Sequence, residues 1–173
     1  MTIQPGARHT RSLRSMVGSF DTAARGVTGW GLRLLVAACL LVDAVVHLQL
    51  AGGYGQATAP GYVSEGLLFR VESVTALAVA LLVLVLGNRF AFAVAFGVTA
   101  SAFGVVLLYR YVNVPAFGPI PGMYEPIWFA KKAVTAVAEG LGAVLSAIGF
   151  AYTWRRVQER SDAGLPVSAH GLR

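Results

Sequence analysis

The sequence carries little charge for its length. Of its 173 residues, 13% are Asp, Glu, Lys or Arg and 56% are hydrophobic, whereas a soluble domain usually carries about a quarter charged residues. This composition excludes an ordinary soluble domain. The arginines that are present are not interleaved with base-stacking aromatic residues, so we expect no nucleic-acid binding.

Cysteine and histidine are also scarce. Cys39 is the single cysteine. One thiol cannot form an internal disulfide, and the absence of a Cys-x-x-Cys pair excludes dithiol–disulfide chemistry. A haem held by two histidines would need a second histidine near His47, but His9 and His170 lie in the terminal segments. The sequence therefore argues against haem.

Two segments lack basic residues altogether. Residues 51–65 and 111–125 contain no Lys or Arg, while arginines cluster before residue 34 and after residue 154. Basic residues are enriched in cytoplasmic segments of membrane proteins. We therefore expect both termini in the cytoplasm and these two segments outside. The net charge of +6 then reflects topology and contact with anionic lipid.

What the sequence does contain is long apolar runs, at about residues 30–50, 66–87, 90–110 and 127–154. A helix needs about 20 residues to cross a hydrocarbon core of about 30 Å. A membrane barrel would instead show alternating segments of about ten residues. The sequence predicts an all-α, multi-pass protein of the inner (plasma) membrane, an antiparallel bundle of four transmembrane helices over residues 29–154.

The terminal segments are predicted from composition. Residues 1–28 are rich in Arg, Ser and Thr with a few apolar positions at helical spacing, which fits either an interfacial amphipathic helix or a disordered basic tail. No cleavage site follows the first apolar run, so we expect that run to be retained as an anchor. Residues 155–173 are predicted to form a basic, disordered tail.

The connections between the runs are rich in glycine and proline, which mark helix ends, and Pro126 suits the first turn of the fourth helix. The flanking aromatic residues Tyr109, Tyr111, Tyr124 and Trp128 are typical of a belt at the membrane interface. Alternatively, the two long connections fold over the end of the bundle as a lid.

Small residues predict where helices pack closely. The connection Gly87–Asn88–Arg89 is so short that it predicts a helical hairpin. Small residues three or four apart permit close approach of helices. They occur in the third run (Gly97, Ala100, Ser101 and Gly104) and in the fourth (Ala138, Gly142 and Ser146), and we expect both sets inside the bundle.

Seven ionisable residues interrupt the apolar runs: Asp43, His47, Arg70, Glu72, Lys131, Lys132 and Glu139. A charge near the membrane centre costs about 2.5–3.5 kcal/mol, so these residues need partners, water or a function. Counting about 1.5 Å per residue from the outer helix ends places six of them about 5–10 Å deep. The same count places Glu139 alone, about 20 Å deep.

Helical spacing indicates which of these side chains face each other. Asp43 and His47 are four residues apart and share a face. Lys132 and Glu139 are seven apart and also share a face, so we expect Lys132 rather than Lys131 to point inward. The predicted ligand-binding residues are Asp43, His47, Glu72, Lys132 and Glu139.

We expect Asp43 and Glu72 to balance Lys132 and one arginine, with His47 hydrogen-bonded to Asp43. Arg70, two residues from Glu72, is expected to snorkel. Such a network either fixes helix register or forms a ligand, quinone or proton site, and both interpretations stay open. Asp43, His47 and Glu72 are suitable metal ligands, but the two nearby lysines oppose a cation, so no metal is predicted.

The pattern resembles the DoxX-like group of small four-helix bacterial membrane proteins over about residues 30–150. The resemblance lies in Arg33, the Val45–Val46–His47–Leu48 stretch, and Glu72 leading an apolar run that ends at Gly87–Asn88–Arg89. The loop Tyr111–Pro126 and the double lysine depart from it. The resemblance implies an accessory subunit of a membrane complex, linked to quinone or redox chemistry, rather than a self-sufficient enzyme.

Three functions are therefore expected from the sequence. The first is an accessory subunit that associates with other membrane subunits or with itself. The second is a small-molecule or quinone site in the outer half of the bilayer. The third is proton or ion movement by an oligomer, with Glu139 as the deep relay.

Overall fold

The computed structural model of the protein describes residues 9–55 and 61–163, with side chains described for residues 26–55 and 61–159. These ranges contain four helices, the irregular connections between them, and one isolated β-bridge between Phe117 and Ile120. The helices are α1 (His9–Ala51), α2 (Glu65–Leu86), α3 (Arg89–Tyr111) and α4 (Ala130–Ala163). Each contains a stretch long and apolar enough to cross a membrane, which confirms the prediction of four membrane-length helices.

The predicted turn between the second and third helices is present, and its residues explain it. Gly87 ends α2 with a φ of 50°, in the left-handed region that glycine adopts without strain. Asn88 then begins α3, since its side chain accepts a hydrogen bond from the backbone N–H of Ala91 at 2.9 Å.

The fourth helix begins later than predicted. Residues 121–129 are not helical, and α4 begins at Ala130, so placing Pro126 in its first turn was wrong. The backbone N–H of Glu125 donates to the carbonyl of Tyr109 at 3.1 Å, which ties this segment to the end of α3. Proline is compatible with extended backbone as well as with a first helical turn, so Pro126 did not fix the boundary.

The beginning of α1 and the end of α4 also differ from the predicted domain limits. α4 continues past residue 154 to Ala163, so the first part of the predicted disordered tail is helical; residues 164–173 lie outside the described range. α1 begins at His9, inside the segment expected to be a tail or an interfacial helix. The predicted apolar face of that segment lies outside the described side chains.

The core lies where α1, α2 and α3 meet, and α1 also packs against α4. Its fully buried residues are mostly small and aliphatic, among them Val36, Leu40, Ala76 and Val83. Arg33 of α1 reaches the carboxyl end of α2, with its guanidinium 3.5 Å from the carbonyl oxygens of Leu84 and Gly87. A cation is favourable at the negative end of a helix dipole.

The small residues of α3 and α4 differ in their packing. On α4, Ala138, Gly142 and Ser146 are buried as predicted. On α3, Gly97 and Gly104 are exposed, so that part of the prediction was wrong, whereas Ala100 is half-buried and Ser101 lines a cavity within the bundle. The buried face of α3 instead carries Ala91, Phe92, Ala95 and Thr99. The ring of Phe92 occupies the space beside Gly149 of α4, and this contact turns the other face of α3 outward.

The outer surface of the bundle is apolar. Large aliphatic and aromatic side chains are exposed on every helix, including Leu34, Val74, Leu81, Phe96 and Leu141. Soluble monomers rarely expose apolar patches of this extent. Together with the length of the helices, this surface indicates a multi-pass membrane protein.

Candidate functional site

A cavity of about 410 Å³ lies within the helix bundle and is lined by residues of all four helices. We call it the bundle cavity, and the end of the bundle that carries residues 52–55, 61–64 and 112–129 the loop end. Apolar side chains form most of its wall, including Leu68, Phe69, Val105, Val106 and Phe129. Polar side chains converge on it from several directions: His47, Glu65, Glu72, Tyr109, Glu125, Lys132, Thr135 and Glu139. Apolar walls with a few placed polar groups are typical of small-molecule sites.

Asp43 and His47 form a buried pair one turn apart on α1. The Nδ1 atom of His47 lies 2.8 Å from the Oδ1 atom of Asp43 and 3.1 Å from the Asp43 backbone carbonyl oxygen. Both neighbours are hydrogen-bond acceptors, so Nδ1 carries the proton. The imidazole also packs against Phe69 of α2, with ring centroids 5.3 Å apart. The predicted contact between Asp43 and His47 is present.

Glu139 of α4 joins this pair. One potential ligand atom from each of Asp43, His47 and Glu139 lies within 4.8 Å of the others, and all three residues are buried. We call these three residues the acid–histidine cluster. Neither carboxylate oxygen of Glu139 has a hydrogen-bond partner among the described residues. The cluster thus brings together two carboxyl groups and one imidazole at the inner end of the bundle cavity.

The position of Glu139 corrects the predicted depth. The sequence placed Glu139 alone and deep because residues were counted from Pro126 as though the helix began there. Counted from Ala130, Glu139 lies about 14 Å along α4, and Asp43 lies about 12 Å from Ala51 along α1. The two carboxyl groups therefore share one level, as their contact requires.

Glu72 of α2 lies closer to the loop end and lines the cavity. Its side chain is half-buried, and its Oε1 atom is buried without a hydrogen-bond partner in the described part of the chain. Arg70 is exposed, in keeping with the snorkelling orientation expected for it. Glu72 therefore adds a further carboxyl group to the cavity that Glu139 also lines.

Lys132 faces inward and Lys131 is exposed, as predicted. The expected ionic partners of Lys132 were wrong. Its ammonium donates to the backbone carbonyl of Glu125 at 2.6 Å, because Lys132 lies in the first turn of α4 and its stem reaches back toward the preceding segment. Lys132 thus holds the loop end of the cavity and does not balance Asp43 or Glu72 by direct contact.

The two long connections form a cover at the loop end. The Tyr54 hydroxyl donates to the Glu125 carboxylate, with both oxygens at 3.1 Å, and the N–H of Val63 donates to the carbonyl of Pro119 at 2.8 Å. Tyr54 and Glu125 both line the cavity. These contacts favour the lid alternative. Burial, together with the neighbouring Glu125 carboxylate, raises the pKa of Tyr54.

The aromatic residues near the loop end divide between two roles. Tyr109 lines the cavity, so it belongs to the site. Tyr111, Tyr124 and Trp128 are at least 40% exposed, which fits the interfacial belt. The ring of Trp128 also lies beside Arg110, whose guanidinium carbon is 5.7 Å from the ring centroid.

The sequence-based site omitted Tyr54, Glu65 and Glu125. One signal was available, since Glu125 is the single charged residue between positions 111 and 129. Nothing in the sequence pairs it with Tyr54, because that pairing depends on how the two connections fold together. No family model, curated protein or solved structure matches this chain, and the resemblance to DoxX-like proteins stays a prediction.

Proposed function

We propose that this protein is a multi-pass protein of the plasma membrane that binds a small lipophilic molecule with a polar head, of the quinone class, in the bundle cavity. The observation that carries the proposal is the cavity itself. It has about 410 Å³ of space, mostly apolar walls, and several polar side chains among them. A flat, amphipathic ring that carries oxygen atoms matches an apolar cavity with a few polar groups.

The polar groups supply both kinds of hydrogen-bonding partner. A quinone oxygen accepts hydrogen bonds, and the corresponding hydroquinone hydroxyl donates them. The hydroxyl of Tyr109 and the ammonium of Lys132 are donors, while the carboxylates of Glu72 and Glu139 are acceptors. A site that contains both kinds accommodates either redox form.

The seam between α2 and α3 supplies an entry path. These helices are joined by a short turn at Gly87–Asn88 and pack least closely of the neighbouring pairs. Val71 of α2 and Val105 of α3 both line the cavity and are about half exposed. A lipophilic molecule dissolved in the bilayer would enter sideways at this seam.

We propose an antiparallel arrangement with both termini in the cytoplasm. Contacts of α1 with α2 support the antiparallel arrangement. Arg33 contacts Gly87 at the end of α2, while the carbonyl of Ala44, further along α1, accepts from the hydroxyl of Ser73, earlier in α2, at 3.0 Å. The absence of Lys and Arg from residues 51–65 and 111–125 supports the cytoplasmic position of both termini. The bundle cavity would then lie in the outer half of the bilayer.

On the resemblance to DoxX-like proteins, we propose that the protein serves as an accessory subunit of a quinone-linked membrane complex. Purification in a mild detergent followed by native mass analysis tests this part. Co-purification of a redox-active membrane subunit in a fixed ratio is expected. Isolation of a monomer that is active on its own would contradict the accessory role.

A second candidate function is proton or ion movement by an oligomer. The buried Glu139 carboxyl group, without a hydrogen-bond partner among the described residues, favours it, since carboxyl groups inside membranes often carry protons. Proton flux into proteoliposomes should then be lost in Glu139→Ala. Flux that persists in this variant would exclude the role of Glu139.

Ligand binding is tested by blocking the cavity. Ala102 of α3 lines the cavity, whereas Ala93 of the same helix is exposed, so Ala102→Phe and Ala93→Phe form a matched pair. A short-chain ubiquinone or menaquinone analogue should bind the unaltered protein saturably. We expect Ala102→Phe to weaken binding at least about tenfold, since overpacking a site costs about 1–3 kcal/mol. Equal affinity in both variants would contradict the proposal.

A further inference from the structure

We infer that Asp43, His47 and Glu139, the acid–histidine cluster, bind a divalent first-row transition-metal ion at the inner end of the bundle cavity. The inference goes beyond the proposed function, because the site needs no organic ligand. It also departs from the sequence, which offered Asp43, His47 and Glu72 as suitable ligands and predicted no metal.

The first support is geometric. One ligand atom from each residue lies within 4.8 Å of the other two, and metal–ligand bonds of about 2.0–2.2 Å bring such atoms around a single ion after small side-chain adjustments. The ligands come from two helices held close together. Gly142, one turn from Glu139 on α4, allows this approach, since a Cβ atom there would lie 3.3 Å from the Cβ of Cys39 on α1.

The second, independent support is the unpartnered state of Glu139. Its side chain is buried, with 1% of its surface exposed, and neither oxygen has a hydrogen-bond partner among the described residues. The cluster also contains a second buried carboxyl group, Asp43. A buried carboxyl group is neutral unless it is paired or coordinates a metal, and coordination lets it ionise. A cation between Asp43 and Glu139 satisfies both groups.

The sequence argued against a metal because Lys131 and Lys132 would repel a cation, but neither ammonium lies at the cluster. Lys131 is exposed, and the Lys132 ammonium is bound to the carbonyl of Glu125. Lys132 is seven residues from Glu139, about 10 Å along α4. Metal binding requires that both acids and the coordinating imidazole nitrogen are deprotonated, with the imidazole proton on its other nitrogen. The cluster then carries two negative charges, which a divalent ion neutralises inside a low-dielectric interior.

The donor set selects the class of ion. Carboxylate oxygens suit Mn²⁺ and Fe²⁺, and imidazole nitrogen suits Fe²⁺ and Zn²⁺. Ca²⁺ requires six to eight oxygen ligands, more than this cluster supplies. Three protein ligands leave coordination positions open. The bundle cavity adjoins the cluster through His47 and Glu139, so these positions are accessible to water.

The test uses the full chain in detergent, stripped with a chelator and titrated with Zn²⁺ alone or Mn²⁺ alone. We expect one ion per chain. Asp43→Asn and Glu139→Gln should weaken binding by more than about a hundredfold, since loss of a ligand exceeds the tenfold to hundredfold effect of outer-shell changes. Glu65→Gln, the same chemical change at a cavity residue outside the cluster, should retain the affinity of the unaltered protein.

A second measurement needs no variant. Pulsed electron paramagnetic resonance of bound Mn²⁺ should show coupling to one nitrogen, from His47. Absence of saturable binding, absence of that nitrogen, unchanged affinity in Glu139→Gln, or equally tight Ca²⁺ binding would each overturn the inference. Because no quinone is added, failure here leaves the proposed function standing. Conversely, Ala102→Phe should lose quinone binding while keeping the metal.

Discussion

His47 Nδ1 lies 2.8 Å from the carboxylate of Asp43, inside a membrane-length helix and beside a second buried carboxyl group, Glu139. The imidazole can satisfy one acid at that distance but has a single N–H on this nitrogen. The two acids therefore differ in their neighbours: Oδ1 of Asp43 lies 2.8 Å from the imidazole, although it and both oxygens of Glu139 have no hydrogen-bond partner among the described residues. The next prediction depends on this difference.

Removing the two acids should change stability in opposite directions. In metal-free protein, Glu139→Leu should raise the free energy of unfolding by about 1–3 kcal/mol, since it replaces a buried carboxyl group that has no hydrogen-bond partner among the described residues with an apolar side chain. Asp43→Leu removes the side-chain acceptor beside His47 Nδ1 and should lower the free energy of unfolding by about 1–3 kcal/mol. Thermal unfolding in detergent measures both. Equal destabilisation by the two variants would contradict the unpaired state of Glu139.

The connection between α2 and α3 should be sensitive to a single methyl group. Gly87 has a φ of 50° and lies against the guanidinium of Arg33, so Gly87→Ala adds backbone strain and displaces Arg33 from the end of α2. We expect a loss of about 1–3 kcal/mol. Gly97→Ala is the control, because Gly97 lies within α3 with open space around it. That change should be neutral or stabilising by up to about 1 kcal/mol.

The two adjacent lysines provide another matched comparison. Lys132→Met removes the ammonium that bonds the carbonyl of Glu125 and should lower both stability, by about 1–3 kcal/mol, and affinity for the quinone analogue. Lys131→Met alters an exposed residue and should leave both unchanged. Denaturant unfolding and ligand titration measure the two effects. Similar losses in both variants would show that Lys132 has no special role in the cover.

The cover predicts a pH dependence at Tyr54. Its pKa is raised in the folded protein, by burial first and by Glu125 second. The hydroxyl therefore stabilises the fold fully below its unfolded pKa of about 10, and that contribution is lost as pH rises through the folded value. Glu125→Gln should lower the pKa of Tyr54. Ultraviolet titration of tyrosinate, taken as the difference from Tyr54→Phe, measures it, and an unchanged pKa would contradict the contact.

The orientation is tested by cysteine labelling. In a Cys39→Ser background, Ala116→Cys places a thiol in the second connection, and Gln158→Cys places one near the end of α4; both positions are exposed. In intact cells a membrane-impermeant maleimide should label position 116 and spare position 158. The reverse pattern would invert the topology and move the bundle cavity to the cytoplasmic half of the bilayer.

Much of the fold followed from local sequence. Apolar runs fix where helices lie because each helix must satisfy its own backbone in lipid, and Asn88 after Gly87 marks the turn between α2 and α3. The rotation of each helix about its own axis was harder to predict from the sequence. The face of α3 that packs inward depends on the fit of Phe92 beside Gly149 of another helix, which no spacing within α3 encodes.

The site was predicted only in part, because local spacing describes one helix and not the contacts between helices. Spacing within one helix correctly paired Asp43 with His47 and turned Lys132 inward. Predicted contacts between helices were wrong where a helix boundary was wrong. Because α4 begins at Ala130 and not near Pro126, Glu139 lies at the level of Asp43. The contact of Tyr54 with Glu125 joins two irregular segments, for which periodicity gives no register.

The proposed function is tested most directly by photo-crosslinking of an azido-quinone to the unaltered protein in membranes, with the labelled peptides identified by mass spectrometry. Labels should fall on the cavity-lining segments 68–72 of α2 and 101–109 of α3 and should disappear in Ala102→Phe or on competition with unmodified quinone. Labels spread over lipid-exposed positions such as Leu34, Leu81 and Ile148, insensitive to competitor, would contradict a quinone site in the bundle cavity.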